Sequence, residues 1–231
     1  MFCRPVISRK ILHSIIAIWF SLFLAGVVWV LVIGNRQGLE MVLQITWVHE
    51  NRDLVRDLWD NNYFLLPLYA IFLALLFYAW YTRSKRCLAV VASYLAAQLI
   101  CNVLVVRPLK MLTGEARPRT LSGTDIDSLW IGPTMDHNYH SFPSGHASDV
   151  FISAFFLALL LPRPWMRAAI FAYATFNALT RLAVARHFPV DIITGMFLGG
   201  LTALLTVKYL LIPYLSAQQP EALETSGKSS S

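Results

Sequence analysis

Charged residues are scarce in this chain, and cysteines are scarcer still. Only 14% of the 231 residues are Asp, Glu, Lys or Arg, against about 25% in an ordinary soluble domain. That shortage argues against a water-soluble globular protein. The cysteines are Cys3, Cys87 and Cys101. An odd number, widely spaced and without a Cys-x-x-Cys pair, predicts neither a disulfide framework nor a zinc cluster.

Long apolar blocks fill the chain instead. Hydrophobic residues make up 57% of the sequence, and the mean hydropathy is +0.56. A helix needs about 20 mostly apolar residues to cross about 30 Å of hydrocarbon, and we predict six such spans. They are Ile11–Ile33, Tyr63–Tyr81, Cys87–Val106, Ala147–Leu161, Ala168–Ala185 and Val190–Ile212. The first is longer than the apolar core of a signal peptide and is predicted to stay uncleaved. The predicted fold is therefore all-α and polytopic.

Basic residues between the spans predict the orientation. The net charge is +6, but the basic residues lie between apolar blocks, which disfavours nucleic acid as a partner. Three clusters fall on one side under alternating topology: residues 4–10, 83–86 and 163–167. By the positive-inside rule this side is the cytoplasm, and both termini lie there. The short loops favour a bacterial cytoplasmic (inner) membrane, with the other face towards the periplasm or exterior.

The spans and their connections predict one membrane domain over residues 1–215. Residues 34–62 mix apolar and charged positions at helical spacing, which predicts one or two amphipathic helices that anchor in the interface. Residues 107–145 form the candidate active-site loop. Residues 216–231 are small and polar and are predicted to be disordered.

A second set of ionisable residues lies on the predicted outer face, where the positive-inside rule does not expect cations. Arg107, Arg119 and Arg186 are interpreted as interfacial anchors that snorkel. The others fall into three segments at span ends and suit an oxyanion-rich ligand, above all phosphate. The ionisable residues of these segments are Lys110, Arg117, His146, Arg181, His187 and Asp191, and Ser144 and Gly145 precede His146 in the second segment.

Each segment has a local physical role. Lys110 offers a phosphoryl group a point charge, and Arg117 offers it a planar guanidinium group with several N–H donors. Ser144 is placed to cap the fourth span, and Gly145 lets an anion approach the free N–H groups of that helix end. Asp191 is near enough in sequence to His187 to accept a hydrogen bond from one imidazole nitrogen, which leaves the other as a nucleophile. A plain helix-start acid is the alternative role for Asp191.

Lys-x6-Arg-Pro, Pro-Ser-Gly-His and Arg-x5-His-x3-Asp occur here in that order. Together they resemble the three-part signature of the type 2 phosphatidic acid phosphatase superfamily, with one departure, Thr180 in place of the usual Ser before the arginine. The resemblance implies a phosphatase in which His187 attacks phosphorus, Asp191 orients it and His146 is the general acid. It further implies that Lys110, Arg117, Ser144, Gly145 and Arg181 hold the phosphoryl oxygens, without a metal or other cofactor.

The expected function is hydrolysis of a lipid phosphate or pyrophosphate at the outer face, through a phosphohistidine intermediate. Phosphatidylglycerophosphate, phosphatidate, undecaprenyl pyrophosphate and lipid A phosphate are the candidate substrates. The expected partners are this lipid and the bilayer, and no obligate protein partner is implied. A lipid phosphotransferase on the same scaffold is the nearest alternative.

The same residues leave other classes of function open. A metal-dependent hydrolase would use His137, His140 and His146, but no carboxylate or further histidine has the spacing of a zinc helix. An intramembrane serine protease would use Ser144 as its nucleophile. That mechanism would give no role to Lys110, Arg117 and Arg181. A transporter or scaffold that binds headgroups without catalysis would tolerate loss of His187.

Overall fold

A computed structural model describes residues 7–60, 63–121 and 130–218 of the chain. These residues are helical apart from their connections and one isolated bridge between Glu115 and Trp130, so the all-α class is confirmed. The helices are α1 Arg9–Ile33, α2 Asn35–Leu43, α3 Thr46–Glu50, α4 Arg52–Asp60, α5 Leu66–Tyr81, α6 Lys85–Gln98, α7 Arg107–Thr113, α8 Gly145–Leu160, α9 Pro164–Ala183 and α10 Pro189–Thr206.

Two of these helices continue through wider, π-helical segments. The first segment is Leu99–Val106, which joins α6 directly to α7. The second is Val207–Leu211, which extends α10. Residues 212–218 then continue as helix, while the rest of the predicted polar tail lies outside the described residues. The two π segments therefore lie within long continuous helical rods.

Among residues 7–60, 63–121 and 130–218, four stretches are long and apolar enough, by length and composition, to cross a membrane. They are Arg9–Ile33, Asp53–Tyr81, Lys85–Thr113 and Pro189–Gln218. Helix α8 is apolar but has 16 residues, or about 24 Å at 1.5 Å per residue. Helix α9 carries Arg167 and Arg181 among its 20 residues. The protein is thus an integral membrane protein with helical spans, all six predicted segments are helical, and crossing by α8 and α9 stays a prediction.

Helix α8 forms the centre of the core, and α10 packs closely along it. A Cβ atom at Gly195 would lie 2.9 Å from Cβ of Ala147, and one at Gly199 would lie 2.8 Å from Cα of Ser148. Real Cβ atoms do not approach other atoms this closely. Small residues four positions apart are the usual means by which two helices within a membrane bring their backbones together. This packing sets the first turn of α8 beside the first turn of α10.

Within residues 34–60 the chain forms three short helices, α2 to α4, where the sequence predicted one or two over residues 34–62. Two residues of α2 contact the start of α10. The side-chain oxygen of Asn35 accepts a hydrogen bond from the N–H of Val190 at 2.9 Å, and a Cβ at Gly38 would lie 3.2 Å from Pro189. Helix α4 packs against α9. The segment therefore supports the ends of the helices that carry the candidate site.

The cysteines differ from one another in their bonding. Cys101 is free and fully buried, as expected of a small apolar residue. Cys87 is disulfide-bonded. The sequence supported neither a disulfide framework nor a zinc cluster and gave no indication of this bond, because the spacing of cysteines along a chain does not give their distance in the fold.

Candidate active site

The three sequence segments meet at one end of the helical core. The N–H of Ser144 donates to the carbonyl oxygen of Asp191 at 3.0 Å, which joins the starts of α8 and α10. The ammonium group of Lys110, in the last turns of α7, donates to the carbonyl oxygen of Ser141 at 3.0 Å. A Cβ on Gly145 would lie 3.8 Å from Cε of Lys110. The fold therefore gathers residues that are up to 81 positions apart in sequence, from Lys110 to Asp191.

His187 and Asp191 form a buried pair. Asp191 is fully buried and His187 is 5% exposed. Nδ1 of His187 lies 3.4 Å from Oδ2 of Asp191, and the same carboxylate oxygen accepts the N–H of Phe188 at 2.9 Å. Asp191 thus caps the start of α10 and contacts the imidazole at the same time, so the two roles considered from the sequence coexist in one side chain.

Burial determines the protonation state of His187. Loss of solvation lowers the pKa of its imidazole to about 4, from an ordinary value of 6.5, because burial disfavours the charged form. The hydrogen bond to Asp191 acts in the opposite direction, and the nearby charge of Lys110 adds to the lowering. His187 is therefore neutral at pH 7, which is the form a nucleophilic nitrogen requires.

Ser141 contacts both residues of this pair, and the sequence analysis missed it. Its hydroxyl group donates to Oδ2 of Asp191 at 2.6 Å and lies 3.4 Å from Nδ1 of His187. The side chain is fully buried. The only signal in the sequence is its position three residues before Ser144, and a serine in a loop has no distinctive pattern. Ser141 fixes the carboxylate that in turn contacts the imidazole.

Glu115 is a second residue that the sequence analysis missed. Its carboxyl group is fully buried and lies against that of Asp191, and neither of its oxygens has another hydrogen-bond partner within the described part of the chain. Burial, followed by the charge of Asp191, raises the pKa of Glu115 well above its usual range. Two close carboxyl groups cannot both ionise cheaply, so Glu115 is the protonated member. Its position inside Lys110-x6-Arg117 was the available signal.

His146 approaches the same space from α8. Its imidazole makes a hydrogen bond to the backbone of Asn177 on α9, while Nε2 is buried without a partner among the described residues. Its nearest charged or titratable neighbours include Arg181, His187 and Arg186. One ring nitrogen is thus fixed by the protein, and the other is available to a bound molecule.

The backbone of the active-site loop orients two of the predicted phosphate-binding cations. Lys110 donates to the carbonyl oxygens of His140 and Ser141 at 2.9 and 3.0 Å. Nε of Arg117 donates to the carbonyl oxygen of His137 at 3.0 Å. Both cations are partly buried, and neighbouring positive charges are unfavourable unless an anion lies between them. The third cation, Arg181, is 3% exposed and lies near His146.

Gly114 ends α7 and sets the direction in which the loop leaves that helix. This residue has φ +59°, and a Cβ there would overlap the carbonyl group of Gly132. Beyond it, the bridge between Glu115 and Trp130 and the bond from Ile131 N–H to the Gly114 carbonyl at 3.1 Å tie the two sides of the loop together. The positions of Lys110 and Arg117 therefore depend on a glycine that lies between them.

The first turn of α8 begins with a capping serine and a glycine. The hydroxyl oxygen of Ser144 accepts the N–H of Ala147 at 3.3 Å, as the cap of the helix. The missing side chain of Gly145 faces Lys110, so a ligand can approach the backbone N–H groups from that side. The positive end of the helix dipole adds to the two cations there.

The remaining sequence candidates lie around the site or away from it. Arg107 and Arg119 are exposed, in keeping with a surface role. Arg186 is close enough to His146 to act on it electrostatically, so its interpretation as a simple anchor is incomplete. In the rival metal pair, Nε2 of His140 contacts the carbonyl oxygen of Thr134 at 2.9 Å. No group of three His, Cys, Asp or Glu side chains suited to a metal ion occurs within residues 7–60, 63–121 and 130–218.

Comparison with protein families matches residues 86–212 to the model of the PAP2 superfamily. Among individual proteins, the lipid A 1-phosphatase of Rhizobium etli is 36% identical over 117 residues, which are 50% of this chain and 49% of that protein. The lipid A 4'-phosphatase of Bacteroides thetaiotaomicron is 29% identical over 137 residues, 58% of this chain and 59% of that protein. This chain therefore spans about half the length of the curated relatives it matches.

A solved structure has the same fold. The crystal structure of Aquifex aeolicus LpxE superimposes with a TM-score of 0.54 at 23% sequence identity. The superposition covers 76% of this chain and 95% of the other. At this identity the similarity establishes the arrangement of helices. The family match covers α6 to α10, the helices from which Lys110, His146, Arg181, His187 and Asp191 come or between which they lie.

Proposed function

Because the chain belongs to the PAP2 superfamily, we propose that it hydrolyses a lipid phosphate or pyrophosphate through a phosphohistidine intermediate. The observation that carries the proposal is the buried pair of His187 and Asp191, which lies beside Lys110, Arg117, Arg181 and His146. Such an arrangement combines a nucleophile, an orienting carboxylate, a proton donor and a cationic cradle for one phosphoryl group.

In the first step, the Nε2 lone pair of His187 forms a bond to phosphorus as the bond from phosphorus to the leaving oxygen breaks. His146 gives its Nε2 proton to that oxygen, so the lipid leaves as an alcohol, or as a lipid phosphate from a pyrophosphate. Asp191 accepts the Nδ1–H of His187 and stabilises the positive charge that the ring gains. A phosphate dianion bound opposite His146 favours the protonated imidazole that this step requires.

In the second step, His146 removes a proton from water, whose oxygen bonds to phosphorus. The bond from phosphorus to Nε2 of His187 breaks, its electron pair returns to the ring, and inorganic phosphate leaves. Lys110, Arg117 and Arg181 bind the phosphoryl oxygens throughout, with the backbone N–H of Gly145 and the cap residue Ser144. Electrostatic stabilisation of this kind is the main catalytic contribution in phosphoryl transfer.

A lipid substrate and a membrane topology belong to the same proposal. We propose six spans with both termini in the cytoplasm, residues 1–215 as one membrane domain, and the site at the outer ends of the spans. Helices α2 and α4 support the outer ends of α10 and α9, and residues 107–121 and 130–145 form the wall of the site. The lipid A phosphatases among the relatives support a phosphorylated lipid, such as lipid A, as the substrate class.

The test is phosphate release by the purified protein in detergent with excess EDTA. Phosphatidylglycerophosphate, phosphatidate, undecaprenyl pyrophosphate and lipid A are compared for the parent, for His187→Ala and for the control His13→Ala on the exposed side of α1. Release by the parent and control, with loss of at least 10³-fold in His187→Ala, is expected for a covalent nucleophile. Full activity of folded His187→Ala overturns the nucleophile assignment, and loss of parent activity in EDTA supports a metal-dependent enzyme.

A trapping experiment tests the intermediate itself. Parent protein mixed with ³²P-labelled substrate and quenched within milliseconds at high pH should carry label that acid removes, as a phosphoramidate does. His187→Ala should carry none. A parent that turns over without ever carrying label attacks phosphorus directly with water. Label that passes to an added alcohol faster than to water identifies a phosphotransferase.

Topology has its own measurement. A fluorescent protein fused after residue 231 should fluoresce, because it folds in the cytoplasm, and alkaline phosphatase fused there should be inactive. The reverse pattern for both reporters contradicts the proposed orientation.

A further inference from the structure

The carboxylate of Asp191 receives its hydrogen bonds on one oxygen only. Oδ2 accepts the hydroxyl group of Ser141 at 2.6 Å and the N–H of Phe188 at 2.9 Å, and Nδ1 of His187 lies 3.4 Å from it. Oδ1 is buried and has no partner among the residues that the structure describes. A buried carboxylate oxygen without a donor is costly, because nothing replaces the water that it has lost.

Glu115 has two further oxygens with the same deficit. Both are buried and have no partner within the described part of the chain, and the side chain is fully buried. Its carboxyl group is close enough to that of Asp191 for a side-chain hydrogen bond. Two ionised carboxylates cannot make that bond, because a carboxylate only accepts. A single proton on Glu115, directed at Oδ1 of Asp191, satisfies both side chains at once.

The surroundings decide which of the two carboxyl groups carries this proton. Oδ2 of Asp191 already accepts a hydroxyl group and a backbone N–H, and such hydrogen bonds favour the ionised form. Burial, followed by the charge of Asp191, raises the pKa of Glu115 to about 10. The charge of Lys110 acts in the opposite direction and is the smaller influence. Glu115 therefore keeps its proton at pH 7, and Asp191 is the ionised member.

A second proton, on Nδ1 of His187, matters to the proposed reaction. After attack on phosphorus the ring is cationic and faces Asp191 in a buried site. Transfer of the Nδ1 proton to Asp191 would cancel both charges, which surroundings of low dielectric constant favour. The ring would then have to leave phosphorus as an imidazolate rather than as neutral imidazole. Each hydrogen-bond donor to Asp191 makes the carboxylate less basic and so keeps this proton on the ring.

We propose that Glu115 is a positioning residue, which donates a hydrogen bond to Oδ1 of Asp191 and thereby keeps the Nδ1 proton on His187 during dephosphorylation. This inference rests on the proposed phosphohistidine mechanism and deepens it. In the second step water bonds to phosphorus, the bond from phosphorus to Nε2 breaks, and its electron pair returns to a ring that still carries Nδ1–H. Glu115 keeps its own proton throughout and acts only through Asp191.

Two substitutions of similar shape separate this hydrogen bond from packing. The amide group of Glu115→Gln can still donate to Asp191, whereas Glu115→Met has no donor. Each protein is labelled with a ³²P-lipid that the parent hydrolyses, chased with excess unlabelled lipid and quenched at intervals at high pH. Loss of label then measures dephosphorylation alone. Glu115→Met should lose label at least about tenfold more slowly than the parent, and Glu115→Gln within about threefold of the parent rate, as the loss or retention of a hydrogen bond to a charged group implies.

The formation of label provides a readout that a packing defect would also change. Label should appear in Glu115→Met at nearly the parent rate, because attack on phosphorus does not require the Nδ1 proton to stay on the ring. Equal rates of label loss in the two variants would overturn the proposal. Slowing of formation and loss to the same extent in Glu115→Met would overturn it as well. A parent that never carries label gives a different result, which refutes the proposed intermediate itself.

Infrared spectroscopy tests the proton on Glu115 without relying on turnover. The C=O stretching band of a protonated carboxylic acid should be present in the parent at pH 7 and shift in heavy water, and the Glu115→Gln variant should lack this contribution. Glu40→Gln is the control, because Glu40 is an exposed acid that pairs with Arg36, and it should leave the band unchanged. A band of the same intensity in the parent and in Glu115→Gln would show that Glu115 is ionised and overturn the proposal.

Discussion

Replacement of Asp191 by asparagine separates its catalytic role from its structural one. The amide oxygen of asparagine can still accept the N–H of Phe188 and the hydroxyl of Ser141, which the carboxylate binds at 2.9 and 2.6 Å. What Asp191→Asn removes is the negative charge 3.4 Å from Nδ1 of His187. The structure therefore predicts a variant that folds and binds phosphate but transfers it slowly.

The magnitude follows from that distance. At 3.4 Å and an effective dielectric constant of about 20, two unit charges interact by about 5 kcal/mol. The amide dipole of asparagine keeps part of this stabilisation of the cationic ring, so we expect kcat to fall by about 10²–10³-fold. KM should change less than about threefold, because Lys110, Arg117 and Arg181 are untouched. The lost charge at the start of α10 costs about 0.5–1 kcal/mol of stability.

Steady-state kinetics and thermal unfolding in the same detergent measure both quantities. Asp53→Asn is the control, since Asp53 is also an acid in the first turn of a helix but is exposed and far in sequence from the site. A kcat within tenfold of the parent, for a folded Asp191→Asn protein, would refute the argument that Asp191 stabilises the charged ring. Loss of folding in Asp191→Asn alone would mean that its cap is its main role.

Three further predictions concern stability. Glu115→Gln should stabilise the protein relative to the parent, and increasingly so as the pH rises above about 4.5. Burial raises the pKa of Glu115, so the folded parent must keep a proton that the unfolded chain loses and that glutamine does not need. A difference in melting temperature between variant and parent that is constant from pH 5 to 8 contradicts this. His187 binds a proton more weakly in the folded state, where its pKa is about 4, than in the unfolded chain, where it has the ordinary value of 6.5. Its contribution to the free energy of unfolding should therefore fall by up to about 3 kcal/mol as the pH drops from 6.5 to 4. The check is whether His187→Gln weakens the acid sensitivity of unfolding. Gly199→Leu should destabilise the protein by at least about 1–3 kcal/mol, because its Cβ would lie 2.8 Å from Cα of Ser148, and unchanged thermal unfolding would argue against this close packing.

The sequence was informative wherever a local pattern had a single physical meaning. Apolar runs predicted every long helix, and the bounds of α1 and α8 agree with the prediction to within two residues at each end. The pairing of His187 with Asp191 was also predictable, since residues four apart at a helix start face each other. Ser144 as the cap of α8 followed from its residue type and position.

Contacts between distant segments could not be predicted from those patterns. Glu115 and Asp191 are 76 positions apart, and nothing in the sequence indicates that a loop carboxyl group should meet one at a helix start. Ser141 belongs to the site only because the loop folds back onto α10. Segment 34–62 was placed in the interface by its amphipathic spacing, whereas α2 uses Asn35 and Gly38 to contact the start of α10. Amphipathic spacing gives the apolar face of a helix but does not identify what that face contacts.

The π-helical segment Leu99–Val106 makes the candidate site dependent on the number of residues in a part of the helix that carries none of the proposed phosphate-binding side chains. Each residue of an α-helix advances the chain by about 100°, and a π segment accommodates an extra residue within the rod without breaking it. Deletion of one residue between Leu99 and Val106 would convert the segment towards regular α-helix and rotate α7 by about 100°. Lys110 would then face away from Gly145, with every side chain of the site still present. The register of the helix is in this sense as much a part of the phosphate site as the cation it presents.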